Sequence, residues 1–345
     1  MDLHPIQKTF YFLAISFLIV LVMHYGSFLL IPVIYGIFLA IIINPFVSYF
    51  MRYLRFHILS FILTIVALLL LIILPVSFVI NQVGNLFSKL NVESMDVDTV
   101  TKSIQDALMN TSLSKVVDLN LLKDQMGKIL GVLGDFATTL VSSSSTMIIN
   151  FALAILFSYF LSAYYDDVRK IVMKELEADE RSKWRSIADK APDIIRSYLS
   201  GMLIVMLILA VLNGLALFII GLDYAFVWGL IIGMLAIIPY AGTFVGLMLP
   251  LTYSFISTND YKQPLIIFIV YLVIQQIEGN LLTPKIVGDK LKINPFIIIL
   301  MILIFGKIWG LDGVIISLPL IGVIKTILQE YEKGQLWAKL ISSKS

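Results

Sequence analysis

Five stretches of this chain contain no Lys, Arg, Asp or Glu: Thr9–Met51, Phe56–Ser88, Phe136–Tyr165, Ser197–Leu222 and Tyr224–Asn259. Shorter ones follow at Gln263–Ile277, Ile293–Gly306 and Gly313–Ile324. About 20 apolar residues in a helix cross the ~30 Å hydrocarbon core of a bilayer, where each backbone N–H and C=O must find its partner inside the protein. Composition agrees, with 59% hydrophobic and 14% charged residues over 345, against about 25% charged in soluble domains. The expected fold is therefore all-α: a polytopic integral membrane protein.

The same composition excludes several functions. Cysteine is absent, so disulfides, thiol nucleophiles and cysteine metal sites are out. A net charge of +2 offers no reason to expect a nucleic-acid partner. There is no HExxH, G-x-S-x-G, GxGxxG or Walker A sequence. His4, His24 and His57 fall near separate span ends and form no metal cluster. No enzyme, cofactor or metal is expected, and binding or translocation is favoured over bond chemistry. Lys8 precedes an apolar stretch, but residues 22–26, VMHYG, lack a small-x-small cleavage site, so the first span reads as uncleaved.

Along the chain, His24-Tyr25-Gly26 separates spans near 6–24 and 27–49. Arg52 and Arg55 put the next loop in the cytoplasm by the positive-inside rule, and a third span at about 57–80 leads out. Residues 1–82 thus form an N-terminal group of transmembrane helices. Residues 83–145 are polar, with five basic and seven acidic side chains, and are placed outside the cytoplasm. Within them Leu122, Met126, Ile129, Leu130 and Leu133 recur at helical spacing. This amphipathic helix can cover its own chain, lie on the outer leaflet or pack on a sister subunit in a homo-oligomer. Residues 146–345 form the transport region. A span at about 146–165 returns to the cytoplasm, where 166–196 carries eight basic and eight acidic residues and reads as a helix entering the span 198–220.

The C-terminal half carries the functional signals. Residues 224–259 are too long for one crossing, and Pro239, Gly242 and Gly246 within AIIPYAGTFVG supply a break. A second interrupted stretch, FGKIWGLDGVIISLPL at 305–320, has Gly306, Gly310, Gly313 and Pro319, and Leu-Pro-Leu occurs in both regions. Gly/Pro-interrupted segments point to a transporter's binding region, where broken helices bare polar backbone. Between them lies QQIEGNLLTPKIVGDKLKINP at 275–295. Tyr271, Gln275 and Glu278 share one helix face, with Gln276 and Asn280 on another. Such a cluster can simply sit among lipid headgroups at a helix end. Apolar residues resume at Leu281-Leu282 and Ile297–Phe305, however, and an ionisable group between membrane segments commonly lines a substrate or proton path. Glu278 is the one carboxylate this reading places between spans. Gly279, Pro284, Gly288 and Pro295 are expected to let the segment unwind.

The pattern EGNLLTPKIVGDKLKINP, with IIPYAGTFVGLMLPL before it and FGKIWGLDGVIISLPL after it, resembles the autoinducer-2 exporter (AI-2E) family of bacterial permeases. The resemblance extends to Asn44-Pro45 and to the placement of the polar segment 83–145. It implies a secondary transporter of the bacterial inner membrane with about eight spans. Members are linked to export of the quorum signal autoinducer-2, and others to sodium(lithium)/proton antiport. By motif match Pro239, Tyr240, Gly242, Glu278, Pro284 and Gly288 carry over to the site, joined by Tyr271, Gln275 and Asn280 from the helix faces. The partners implied are the lipid bilayer and a small-molecule or ion substrate.

Charge sets the expected topology. The lysines at 285, 290 and 292 and those at 325, 333, 339 and 344 belong inside by the same rule. If 263–282 crosses once, 224–259 must begin and end outside. A return hairpin with its tip at Pro239–Gly242 satisfies this, and the tip is expected beside Glu278.

Overall fold

The structure, a computed structural model, describes residues 4–90, 144–239, 241–258, 262–287, 293–331 and 334–342. The amphipathic stretch at 122–133, Tyr240 and Gly288 lie outside the described residues. All named elements are helical: α1 (Pro5–Tyr25), α2 (Ser27–Leu54), α3 (His57–Leu90), α4 (Ser144–Glu175), α5 (Ala178–Ile220), α6 (Ala225–Leu235), α7 (Ala241–Thr258), α8 (Lys262–Ile277), a π-helical turn (Glu278–Leu282), α9 (Thr283–Ile286), α10 (Pro295–Glu330) and α11 (Gln335–Ile341). Among the described residues six helices are long and apolar enough to cross a membrane. This is a polytopic all-α membrane protein.

The chain forms two compact units. One gathers Met1–Ile65, Thr146–Leu199 and Asp289–Ser345, the other Val66–Ser145 and Ser200–Gly288. In the first, Ile31, Phe38, Ile195, Phe305, Trp309 and Ile316 make the core. Here α2 and α4 meet at Gly36, where a Cβ would lie 3.1 Å from the carbonyl oxygen of Ala154. Small residues allow such approaches, which matter in lipid because burial from water cannot drive helices together there.

The second unit is built on the same device. Gly229 of α6 lies against Gly214 and Ala210 of α5, and Gly233 against Ala210 and Met206. Ala210-x3-Gly214 thus faces Gly229-x3-Gly233, a small-x3-small pair on each helix. Gly246 brings α7 back onto α6, where a Cβ would meet the Cα of Ile232 at 3.0 Å. Residues 225–258 are therefore a helical hairpin and not one kinked span. Its limbs of 11 and 18 residues are shorter than the ~20 a crossing needs.

A second hairpin stands in the first unit. The 36 residues of α10 break at Gly310, with φ 62° and ψ −137°, a backbone region essentially restricted to glycine. Past the break Gly313 packs so closely that a Cβ there would run into the carbonyl of Phe305 and lie 3.1 Å from the Cβ of Trp309. In a continuous helix positions 305 and 313 would stand ~12 Å apart along the axis, so the chain folds back here.

The charged segment before the fifth span is helical except at Leu176-Glu177, where α4 ends and α5 begins. From Ala178 the helix runs without interruption through the span, 43 residues in all, with Ile187 and Ile195 buried. Its charged face holds the end of α10: Glu330 accepts hydrogen bonds from Ser186 and Lys190, each at 2.6 Å. Tyr331 donates to Glu180 at 3.1 Å.

Candidate functional site

The site predicted from sequence falls within the second unit, on the first hairpin and the segment after it. Pro239 cannot donate a backbone hydrogen bond, and the turn around it closes through other donors. Ile238 N–H reaches the Leu235 carbonyl at 3.0 Å, Ala241 N–H the Pro239 carbonyl at 2.7 Å, and Gly242 N–H the Ile238 carbonyl at 3.0 Å. The missing side chain of Gly242 makes the turn possible, since a Cβ there would run into the Leu235 carbonyl. One residue on, buried Thr243 lies with its side chain beside Tyr271 of α8.

Tyr271 is buried, and Gln275 and Glu278 are half-buried. The i, i+4, i+7 spacing read from sequence therefore does place Tyr271, Gln275 and Glu278 along one face, with Tyr271 beside the hairpin tip. Gln275 lies beside Glu278, yet its Nε2 is buried and meets no partner in hydrogen-bond geometry. A buried unpaired amide costs about 1–3 kcal/mol, and a site that receives a polar ligand is one setting in which that cost is tolerated.

The segment widens at Glu278, where the reading above expected it to unwind. Residues 278–282 form the π turn, and Thr283 N–H bonds to the Glu278 carbonyl five residues back. Pro284 explains the widening: it has no N–H for the Asn280 carbonyl, and its ring crowds that carbonyl in a regular α turn. Single π turns inside α-helices recur at functional sites. Asn280 and Pro284 are exposed, and the Asn280 amide is held by the backbone and side-chain oxygens of Gln276, both at 3.0 Å. The structure thus gathers Gly242, Tyr271, Gln275 and Glu278, and it sets Asn280 and Pro284 on the outer side of the same segment. Thr243 was missed as a partner, although it stands inside the quoted AIIPYAGTFVG.

A cavity of about 510 Å³ opens in the first unit, lined by parts of α2, α4, α5 and α10. It carries the 2.6 Å Arg169–Asp189 ion pair. Among the described residues, none of the predicted site residues lines it. In that unit sequence reading also missed a second half-buried carboxylate, Asp312, which accepts a 2.9 Å hydrogen bond from Tyr35. Its signal was present in FGKIWGLDGVIISLPL, where the acid follows the glycine that breaks the helix.

Broken helices beside a polar segment are a pointer to a transporter's binding region, and one sequence profile decides the family. The profile of the AI-2E family transporter matches residues 11–333. The chain belongs to the AI-2E transporter family. TqsA of Escherichia coli, an AI-2 transport protein by name, is 22% identical over 92% of this chain and 90% of its own length. YueF of Bacillus subtilis, named as a transport protein, is 27% identical over 71% of this chain and 67% of its own. YrrI of the same organism is 37% identical, but the match spans 39% of this chain and only 38% of YrrI.

Proposed function

We propose that this AI-2E family member is a secondary transporter of the bacterial inner membrane that exports a small polar molecule, a quorum signal of the autoinducer-2 type being the favoured cargo. The observation that carries the reading is the arrangement around Glu278. A half-buried carboxylate opens a π turn, beside an unpaired amide, on a face whose Tyr271 lies beside the tip of a broken hairpin. Ionisable groups between membrane segments are costly and commonly mark where a substrate or ion is met. The nearly end-to-end match to TqsA supports the choice of cargo. In this reading Gln275 and Glu278 contact the cargo and Tyr271 holds the hairpin tip against them. Gly242, Pro239 and Pro284 shape the backbone, and Tyr240, Asn280 and Gly288 flank the path. Residues 146–345 form the transport region, 1–82 its companion helices, and 83–145 the extracytoplasmic segment.

The test is efflux from vesicles. Proteoliposomes loaded with labelled autoinducer-2 should release it faster than protein-free vesicles, and Glu278→Gln should slow release by about tenfold, equivalent to ~1.4 kcal/mol. Proton movement driven by added Na+ or Li+, without cargo efflux, would replace this reading with cation/proton antiport. Unchanged efflux in the variant would remove Glu278 from the path.

A further inference from the structure

Asp312 has no assigned role, and its setting is unusual. It follows the Gly310 break at the tip of the second hairpin, and Tyr35, 277 positions away in sequence, donates to its Oδ1 at 2.9 Å. The core beside the pair is apolar: Ile31, Phe305, Trp309 and Ile316, with Ile34 and Ile308 packed on it.

Three observations set this carboxylate inward of the α1–α2 connection, within the helical unit. The limb 295–309 is ~22 Å long at 1.5 Å per residue, too short to cross the ~30 Å core, so the hairpin turns within the unit. The indole N–H of Trp309 donates to the Met23 carbonyl at 2.7 Å, satisfying one of the four carbonyls left open at the end of α1 and fixing the tip against it. Tyr35 lies ~12 Å into α2 from Ser27 at the helical rise, inward from the α1–α2 connection.

The charged and titratable groups on the surrounding elements do not neutralise it. His24 of α1 and Lys307 of α10 are exposed. Arg196 of α5 reaches Asp193 at 4.0 Å and the Ile41 carbonyl at 3.5 Å. Tyr198 of α5 is buried, and Lys325 lies further along α10 with contacts of its own. Among the described residues Asp312 forms no ion pair, and its hydrogen-bond partner is the Tyr35 hydroxyl.

We propose that the Tyr35–Asp312 pair is an intramembrane proton-binding site at the tip of the second hairpin. Asp312 takes up one proton to become the neutral acid and releases the same proton to become the carboxylate. Tyr35 keeps its own proton throughout and donates its hydrogen bond to the charged form. A carboxylate without a cationic partner at this depth is the group whose charge the protein must be able to discharge. The acceptor of the Trp309 indole ties the same tip to α1, so a change of charge at Asp312 acts on an element anchored on both sides. This goes beyond the transport reading and holds whatever the cargo is.

The experiment is a pH titration of the full-length protein in lipid vesicles, read by infrared difference spectroscopy of the carboxyl C=O stretch. The wild type should show a titrating carboxylic-acid band that Asp312→Asn abolishes. Tyr35→Phe should keep the band and move its midpoint by about one pH unit, whereas a bond that only braces the fold would lower thermal stability and leave the midpoint in place. Glu278→Gln should leave this band intact even where it slows efflux, which separates failure of this site from failure of the transport reading. A wild-type spectrum with no band that Asp312→Asn removes overturns the proposal, as does an unmoved midpoint in Tyr35→Phe. If Asp312→Asn does not fold, Tyr35→Phe decides alone.

Discussion

The proposed path in the second unit rests on the face that carries Tyr271, Gln275 and Glu278. Tyr271 is buried and lies beside Thr243 at the hairpin tip, so Thr243→Val removes the hydroxyl from that contact while nearly conserving shape. Loss of a polar contact costs about 1 kcal/mol or less, and thermal unfolding in detergent should register it as a fall of at most a few degrees. If Tyr271 positions the tip for transport, efflux should fall more steeply than stability does. Asn280 is exposed and bonded to Gln276, so Asn280→Ala should change efflux less than twofold, a difference under ~0.5 kcal/mol. The contrast between Glu278 and Asn280, two residues apart, tests whether the inner face of the π turn is the working one.

At the scale of the elements, the glycines separate into two physical roles. Gly310 turns the chain through a backbone conformation that side chains resist. Gly229 instead permits contact, because any Cβ there would strike the Gly214 backbone. Gly229→Val should force α5 and α6 apart at a cost of about 1–3 kcal/mol, seen as a lowered melting point and easier proteolysis between Leu222 and Ala225. An unaltered melting curve would mean that the small-residue pairing does not hold the hairpin. The end of α10 offers a milder case. Glu330→Ala removes acceptors for Ser186 and Lys190, and with Lys190 largely exposed the loss should stay near ~1 kcal/mol.

For the whole molecule, the lysine distribution predicts that residues 285 and 339 face the cytoplasm. Both are exposed, and the chain contains no cysteine. Single Lys285→Cys and Lys339→Cys variants should therefore resist a membrane-impermeant thiol reagent in intact cells and react after permeabilisation. Ready labelling of either in intact cells would reverse the orientation. Much of the architecture was decided by the sequence alone, because the bilayer leaves few choices. Charge-free runs have to be helices, and a 36-residue run with Pro239, Gly242 and Gly246 has to break. The face Tyr271–Gln275–Glu278 follows from 3.6 residues per turn, and Asp312 could have been suspected from its place after Gly310. What only the tertiary structure decided depends on partners distant in sequence. Nothing local says that Tyr35 meets Asp312, that Thr243 meets Tyr271, or that Gly229 lies on Gly214. Nor could hydropathy show whether Pro284 would unwind its segment or widen it into a π turn. Hydropathy and helical period record which residues must avoid water and which share a face. Which faces then meet is settled by close packing and by buried polar groups finding partners, and those are properties of the folded chain.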